Sequence, residues 1–175
     1  MTLKLKRTPG LYLVGFMGTG KSTIGRSLAD ELGWCFFDLD QEIEKDQGQS
    51  ISQIFEQRGE PAFRDIESQV LRRRVSYIES GNPCVMALGG GAFVQPQNWQ
   101  VIEDNGITVW LDCALERIHG RLSEDKTRPL AADRCSMEKL FEARRPLYAR
   151  ADYRIDADCD DPAEVLRQIL RLPIF

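Results

Sequence analysis

The sequence lacks the long apolar runs of a membrane protein. In its 175 residues no apolar stretch approaches the roughly 18 residues that a transmembrane helix requires. The N-terminal stretch MTLKLKRTPG is basic, but neither an apolar run nor a small-residue cleavage site follows it, so a secretory signal peptide is not expected. These absences predict a cytoplasmic protein that does not associate with membranes.

Cysteine and histidine are also sparse. The five cysteines are widely separated, odd in number and without a CxxC spacing, and the sequence has one histidine, His119. Zinc sites need clustered ligands of these types, and disulfide frameworks use an even set of cysteines, so neither is predicted. The cysteines are expected to be thiols in a reducing compartment, and His119 is expected to be a packing or surface residue of a helix.

An excess of positive charge is absent as well. The formal net charge is −4, which does not favour a nucleic-acid-binding surface. Arginine nevertheless supplies 17 of the 23 basic residues, and its planar guanidinium can bind a carboxylate or a phosphate through two hydrogen bonds. Most arginines, including the run 72–74, are expected on exposed surfaces, so position in the chain must identify those that bind a ligand.

What the sequence does contain is an alternation of short apolar runs and longer amphipathic segments. This pattern is typical of βα units around a parallel sheet, and the length fits one α/β domain over residues 1–175. The predicted strands are residues 11–14, 35–37, 85–88, 108–111 and 153–155. Ile24, Leu28 and Leu32 recur at a spacing of four, which predicts one apolar face for the first helix.

Capping signals and polarity mark further boundaries. Ser50 with Gln53 has the pattern of a capping box, and Asp161 followed by Pro162 predicts the start of the last helix. Residues 123–136 are polar with few apolar anchors, so they are predicted to form a mobile flap between two helices. The predicted buried face of the last helix consists of Val165, Leu166, Ile169 and Leu170.

A glycine-rich stretch follows the first predicted strand. Residues 15–23, GFMGTGKST, fit the pattern G-x-x-x-x-G-K-[ST], with an apolar strand before it and an amphipathic helix after it. Glycines let successive backbone N–H groups point inward, and the helix N-terminus adds partial positive charge, so the loop can hold an anion. The pattern predicts a nucleoside triphosphate site in which Lys21 reaches the outer phosphates and the Ser22 hydroxyl binds Mg²⁺.

Three further segments are expected at the same edge of the sheet, because ligands of open α/β sheets bind beyond the carboxyl ends of the strands. Asp38 and Asp40 of FDLD could hold Mg²⁺-bound water and accept a hydrogen bond from an alcohol; alternatively, Asp40 caps the following helix. The triple glycine of LGGG indicates either close approach of another group to the backbone or a plain loop. The third segment, TRPL, lies in the predicted flap.

Asp112, at the end of VWLD, has two interpretations. It could correspond to the acidic residue that holds magnesium at the end of a strand in many phosphate-loop enzymes, or it could cap the next helix.

Six segments together resemble one family. GFMGTGKSTIGR, DLD, FRDIE, LGGGA, TRPL and RRPLY occur in the order and at the approximate spacings seen in shikimate kinases, from about Leu11 to Leu170. The resemblance implies a P-loop fold of the nucleoside-monophosphate-kinase type, with a five-stranded parallel sheet flanked by helices. It also implies a small substrate-binding subdomain over about 38–70 and a mobile lid over about 123–136.

The activity that this resemblance implies is transfer of the γ-phosphoryl group of ATP to the 3-hydroxyl of shikimate. The products would be shikimate 3-phosphate and ADP, in the pathway to chorismate and the aromatic amino acids. Mg²⁺ would be the cofactor, ATP and shikimate would be the small-molecule partners, and a monomer is expected.

The resemblance further implies residues that bind the nucleotide and the metal. Ser22 would bind Mg²⁺ directly and Asp38 through water, while Arg128 would close with the lid over the β- and γ-phosphates. Arg121 and Pro162 would flank the adenine. The residues that wrap the phosphates would be Gly18, Thr19, Gly20, Lys21, Ser22 and Thr23.

On the acceptor side, the resemblance implies that Asp40 binds the hydroxyl that is phosphorylated. Arg64 and Arg144 would bind the substrate carboxylate, and Gly89, Gly90 and Gly91 would lie against the acceptor, Gly90 meeting another hydroxyl through its backbone. The catalytic residues would be Lys21, Asp38, Asp40 and Arg128. Asp160 stands near a position where the family often has a basic residue that touches the nucleotide, so that contact is not expected here.

Several alternatives stay open at the level of sequence. Arg64 could pair with Glu67 one helical turn later, and Glu67 could then orient it. The residues do not choose between Arg144 and Arg145; the R-x-P-L-Y register selects Arg144. Whether Asp40 acts as a base is undecided. A kinase for another hydroxy acid, such as gluconate, and a catalytically silent nucleotide-binding module are the competing functions.

Overall fold

The central strand of the sheet is buried along its length. The computed structural model describes residues 10–124 and 134–174, and in β1 (Gly10–Val14) the side chains of residues 11–14 are at most 2% exposed. A continuous apolar run of this kind is typical of a strand inside a parallel sheet that is covered on both faces.

Four more strands complete one parallel sheet with β1. They are β2 (Cys35–Asp38), β3 (Cys84–Ala87), β4 (Gly106–Asp112) and β5 (Tyr153–Asp156). The strand order is β2-β3-β1-β4-β5, and Leu11 lies opposite Val85 on one side and Ile107 on the other. All five predicted strands are confirmed, with ends that differ from the prediction by at most two residues.

Helices connect these strands. In the described ranges they are α1 (Lys21–Leu32), α2 (Leu39–Gln47), α3 (Ile51–Glu79), α4 (Pro96–Asn105), α5 (Leu115–Glu124), α6 (Arg134–Tyr148) and α7 (Pro162–Leu170). Ile24 and Leu28 of α1 are buried and Leu32 packs partly against the core, so the predicted apolar face is confirmed. No helix in these ranges combines the length and the apolar content needed to cross a bilayer.

The helix starts follow from their capping residues. Ser50 Oγ accepts a hydrogen bond from the Gln53 N–H and Gln53 Oε1 accepts one from the Ser50 N–H, so the predicted capping box is confirmed. Asp161 accepts from the Ala163 N–H at 2.9 Å, with Pro162 in the first turn of α7, as predicted.

The long helix α3 is interrupted near its start. Gly59 has φ 77° and ψ 171°, a conformation that residues with a side chain rarely adopt, and Pro61 follows it. The chain therefore changes direction before it reaches Arg64. The rest of α3 runs back along the sheet and carries buried residues such as Leu71 and Val75.

Two surface predictions are wrong. Leu170 is 37% exposed, whereas Val165 and Ile169 are buried; adjacent helical residues are about 100° apart, and Leu170 falls outside the face that packs on the core. Arg74, which is predicted to be exposed, is half-buried. Its guanidinium pairs with Glu42, and the guanidinium carbon lies 4.4 Å from the centre of the Phe37 ring.

Candidate active site

The glycine-rich loop connects β1 to α1. Gly15 has φ 141°, and a methyl group built on it would lie 2.7 Å from the Leu111 carbonyl oxygen, so only glycine fits against β4. Gly20, at φ 89°, turns the chain into α1. The Thr19 side chain is buried and its hydroxyl donates to the Phe16 carbonyl at 2.9 Å, which stabilises the turn. The backbone of the loop therefore lies at the N-terminus of α1, where the partial positive charge of the helix favours a bound anion.

Lys21 lies back across this loop. Its Nζ donates to the carbonyl oxygens of Gly15 at 3.0 Å and Phe16 at 2.6 Å. The ammonium group is therefore held at the loop itself, where it can exchange these carbonyls for phosphate oxygens. Thr23 follows on the exposed side of the first turn of α1.

Ser22 and Asp38 bring two oxygen ligands together. The Ser22 hydroxyl donates to Asp38 Oδ2, and Asp38 Oδ1 accepts from the Asp40 N–H at 3.1 Å. Asp38, and not Asp40, therefore caps α2, so the alternative interpretation of Asp40 as a cap is wrong. One carboxylate oxygen supports the helix while the other faces the phosphate loop.

This pair fits the requirements of Mg²⁺. Magnesium prefers oxygen ligands and uses only one or two protein groups, together with water and substrate phosphates. In residues 10–124 and 134–174, no three histidine, cysteine or acidic side chains cluster in a way suited to a metal. A Mg²⁺ site with one or two protein ligands does not need such a cluster. The Ser22 hydroxyl and the Asp38 carboxylate supply the expected donor types beside the loop.

The triple glycine receives three side chains, one at each position. A methyl group built on Gly89 would lie 2.5 Å from Asp40 Oδ1, and one built on Gly91 would lie 2.6 Å from the Arg64 guanidinium nitrogens. A methyl group built on Gly90 would lie 3.4 Å from Arg144 Nη1. The close-approach interpretation of LGGG is therefore confirmed at Gly89 and Gly91, where a side chain would displace Asp40 or Arg64, while Gly90 is at ordinary contact distance from Arg144.

The same glycines adjoin the phosphate loop. The methyl position of Gly90 lies 3.6 Å from the backbone nitrogen of Met17. The Leu88 N–H donates to the Leu13 carbonyl at 3.0 Å, which fixes the start of the glycine segment beside the end of β1. The structure thus brings Asp40, Arg64 and Arg144 together at one edge of the phosphate loop.

Arg64 is held by two glutamates. Its Nη1 is 3.0 Å from Glu67 Oε2 and its Nη2 is 3.0 Å from Glu60 Oε1, with the arginine side chain 15% exposed. Burial opposes the charge of Arg64, but Glu67 and Glu60 outweigh it and raise the pKa of the guanidinium. The predicted ion pair with Glu67 is confirmed, and it leaves one side of the guanidinium against Gly91.

Glu67 is a buried carboxyl group, 1% exposed. Burial raises its pKa, while the charge and hydrogen bond of Arg64 act in the opposite direction. Asp40 and Arg144 also act on this pKa, Asp40 raising it and Arg144 lowering it, so the four charges form one electrostatic group.

The two consecutive arginines of RRPLY have different partners. Arg145 Nη2 donates to Asp112 Oδ2 at 3.0 Å, whereas Arg144 lies at Gly90. Asp112 Oδ2 is also 2.6 Å from Arg154 Nη2. The geometry therefore selects Arg144 for the site, and it gives the Asp112 carboxylate two arginine partners, which favours Asp38 as the metal ligand.

On the opposite side of the phosphate loop lies a cavity of about 580 Å³. Arg121 reaches it from α5 and donates to the Gly18 carbonyl at 3.4 Å and to the Cys159 carbonyl at 2.7 Å. Among the described residues that line the cavity, Arg121 is present and Pro162 is not. Pro162 lies in the first turn of α7, close in sequence to Cys159.

Sequence reasoning missed Arg117. Its guanidinium forms ion pairs with Asp158, at 2.8 Å, and with Asp160, and all three residues line the same cavity. Asp160, where the resemblance implies the loss of a basic residue, thus has an arginine beside it. The i, i+4 spacing of Arg117 and Arg121 on α5 was the signal available in the sequence. Arg128 and the TRPL segment lie outside the described residues, as does most of the predicted lid.

Comparison with known proteins identifies the family. The family model described as SKI, shikimate kinase, matches residues 17–172. A shikimate kinase from Persephonella marina is 42% identical over 161 residues, which are 91% of this chain and 96% of that protein. The structure of a shikimate kinase from Acinetobacter baumannii in complex with shikimate is 38% identical, with a TM-score of 0.86 over 95% of this chain and 93% of that one.

A structural likeness also extends to a gluconokinase from Sinorhizobium meliloti. That likeness has a TM-score of 0.60 over 93% of this chain and 90% of the other, at 15% identity, and it shows a common fold alone. The match to the family model and the identity to the curated relative decide the assignment. This chain belongs to the shikimate kinase family.

Proposed function

We propose that this protein transfers the γ-phosphoryl group of ATP to the 3-hydroxyl of shikimate, giving shikimate 3-phosphate and ADP in the pathway to chorismate. The observation that carries the proposal is the convergence of Asp40, Arg64 and Arg144 on three consecutive glycines beside the phosphate loop. One crevice then offers a polyphosphate cradle at one end and a cationic acceptor site at the other.

The acceptor chemistry fits this arrangement. Shikimate is a small monocarboxylate with three hydroxyl groups, so its site needs a planar cation and hydrogen-bond acceptors. Arg64 and Arg144 supply guanidinium groups from α3 and α6, at Gly91 and Gly90 of the glycine triplet. Asp40, at Gly89, supplies the acceptor for the hydroxyl that is to be phosphorylated.

The phosphate end provides the charge for the transfer. Lys21 exchanges its loop carbonyls for the outer phosphate oxygens, and the N–H groups of Gly18, Thr19, Gly20, Ser22 and Thr23 bind the remaining oxygens. Ser22 and Asp38 would hold Mg²⁺, which when bound neutralises charge on the β- and γ-phosphates. Arg121 and Pro162 would lie on the two sides of the adenine.

Phosphoryl transfer depends on the alignment of the two reactants more than on covalent chemistry by the protein. The protein must place the acceptor oxygen in line with the γ-phosphorus and stabilise the charge there. Asp40 orients the hydroxyl and accepts its proton as the new bond forms, and Lys21 and Arg128 stabilise the transferred group. The segment between α5 and α6 would form the lid that excludes water from the site; the ends of the predicted range, 123–124 and 134–136, belong to those helices.

The remaining parts of the proposal come from the sequence. The whole chain is taken as one domain with its substrate-binding region at about 38–70, and the protein is taken as a cytoplasmic monomer without nucleic-acid partners. These stay predictions.

An acceptor panel tests the proposal. The purified protein is incubated with ATP, Mg²⁺ and one of three acceptors: shikimate, its 3-keto analogue, or gluconate. ADP release and ³¹P NMR of the product should show phosphorylation of shikimate at the 3-oxygen. The 3-keto analogue should not be phosphorylated at that position. A strong preference for gluconate would reject the substrate, and nucleotide binding without turnover of any acceptor would reject the activity.

A further inference from the structure

We propose that Tyr148 is a positioning residue for the acceptor site, and that its hydroxyl holds Gly90 and Arg144 in their binding arrangement. The inference rests on the proposed function, because it concerns how the acceptor end of that site is built. Tyr148 itself is not placed against the substrate; it acts through the two groups that are.

The geometry centres on one hydroxyl group. Tyr148 is 2% exposed at the end of α6, and its Oη donates to the Gly90 carbonyl oxygen at 2.5 Å. A methyl group built on Gly90 would lie 3.5 Å from that Oη and 3.4 Å from Arg144 Nη1. The tyrosine hydroxyl and the arginine guanidinium therefore adjoin the same glycine.

The hydrogen bond to Gly90 has a consequence for the rest of the loop. A trans peptide is planar, so the carbonyl of Gly90 and the N–H of Gly91 point in opposite directions. When Tyr148 holds this carbonyl, it also fixes the direction of the Gly91 N–H. Gly91 is the residue against which the Arg64 guanidinium lies. One buried hydroxyl thus sets the backbone orientation between the two arginines.

The hydroxyl also interacts with Arg144. Burial raises the pKa of Tyr148 to about 12, while the charge of Arg144 and its side-chain hydrogen bond act in the opposite direction. A tyrosine hydroxyl can donate one hydrogen bond and accept another. Tyr148 donates to the Gly90 carbonyl, and its oxygen keeps the capacity to accept from Arg144, whose guanidinium lies at the same glycine.

The ring of Tyr148 is itself fixed by packing. It lies against Trp110 of β4, with ring centroids 6.4 Å apart and planes inclined by 34°. The ring is held by the sheet, and its hydroxyl is presented to the glycine loop. Tyr148 and Arg144 both lie on α6, so this contact links the arginine's helix to β4.

Tyr148→Phe tests the inference, because it removes the hydroxyl and keeps the ring. The expected result is an increase of about tenfold in the KM for shikimate, the upper end of the effect of losing one neutral hydrogen bond. The KM for ATP should stay close to that of the wild type, while the melting temperature should fall by a few degrees, because the Gly90 carbonyl loses its buried partner. Tyr12→Phe is the matched control: Tyr12 is also fully buried, and its hydroxyl has no hydrogen-bond partner in the described part of the chain.

A merely structural role would give a different result. If Tyr148→Phe leaves the KM for shikimate unchanged, or raises both KM values alike, the inference is overturned. A second measurement determines the effect of Tyr148→Phe in a protein that already carries Arg144→Lys. There Tyr148→Phe should raise the KM for shikimate by less than about threefold, because interacting residues are not additive; full additivity would also overturn the inference.

These outcomes are separate from those of the proposed function. The wild-type protein and Tyr12→Phe must first phosphorylate shikimate. If they do not, the proposed function fails; if they do and Tyr148→Phe has the wild-type KM for shikimate, only the role of Tyr148 fails.

Discussion

Arg64 and Glu67 lie one helical turn apart in α3, and Arg64 Nη1 is 3.0 Å from Glu67 Oε2. The glutamate is 1% exposed, whereas the other partner of Arg64, Glu60, has a side chain that is 62% exposed. A buried partner restricts the guanidinium much more than an exposed one, because screening by water is reduced. Glu67 therefore fixes Arg64 against Gly91 before any ligand arrives.

Arg64→Ala should weaken the binding of shikimate by about 2–5 kcal/mol, the effect of removing one member of a buried charged contact. The affinity for ADP should stay nearly unchanged, because the phosphate loop is intact. Calorimetric titration of each ligand measures both quantities. Arg72→Ala, on the exposed side of the same helix, is the control. Equal shikimate affinity in the two variants would remove Arg64 from the site.

Arg144 and Arg145 form a natural pair of matched variants. Arg144→Lys keeps the charge but loses the planar guanidinium, so the KM for shikimate should rise by roughly 10- to 150-fold, or about 1.5–3 kcal/mol. Arg145→Lys keeps a cation beside Asp112, which Arg154 also binds, and should have little effect. Steady-state kinetics at saturating ATP compare them. The opposite ranking would assign the carboxylate to Arg145.

Lys21→Ala should reduce kcat by at least about 10²–10³-fold, as expected when a group that stabilises charge in the transition state is removed. The wild-type ammonium already lies at the phosphate loop, 2.6 Å from the Phe16 carbonyl. Lys45→Ala, in the exposed last turn of α2, is the control. A coupled assay for ADP measures both variants. Turnover at the wild-type rate would exclude Lys21 from the transfer.

The proposed Mg²⁺ site can be tested without loss of a helix cap. Asp38→Asn keeps a residue that caps α2 well but removes the carboxylate beside Ser22. The Mg²⁺ concentration for half-maximal activity should rise by about 10–100-fold, as for other residues that support a bound metal. Asp161→Asn, at the matching cap of α7, should not change it. Equal Mg²⁺ dependence of the two variants would contradict the assignment.

The sequence predicts the sheet well because its signals are local. A central strand such as β1 is an uninterrupted apolar run, and the phosphate loop has a fixed spacing of glycines, lysine and serine. Contacts between distant segments carry no such signal. The choice between Arg144 and Arg145 depends on which face of α6 meets Gly90, and the structure decides it through Asp112 on β4.

Two other residues show the same limit. Tyr148 is the last residue of an amphipathic helix, so from sequence its ring is indistinguishable from a core side chain; the hydrogen bond to Gly90 makes it distinctive. Arg74 belongs to a run of arginines that reads as solvent-exposed, yet Glu42 and Phe37 approach it from α2 and β2. The role of Tyr148 and the burial of Arg74 are not visible in the sequence, because burial of a polar residue depends on partners that are far away in the chain.

The buried carboxyl group of Glu67 should make stability depend on pH. Burial raises its pKa above the ordinary value of 4.5, with Arg64 opposing the shift. Between the pKa of the unfolded chain and the raised pKa of the folded protein, the folded state holds more protons than the unfolded state. The contribution of Glu67 to the free energy of unfolding is therefore present below pH 4.5 and is lost as the pH rises through the folded-state pKa.

Glu67→Gln removes the titrating group and should abolish this decline. Urea unfolding at several pH values from about 4 to 7, followed by circular dichroism, gives the free energy of unfolding for each protein. Glu60→Gln is the control, since it removes the exposed partner of the same arginine and keeps Glu67; its pH dependence should match that of the wild type. If Glu67→Gln instead keeps the wild-type slope, the decline has another source, and Glu67 titrates alike in the folded and unfolded chain.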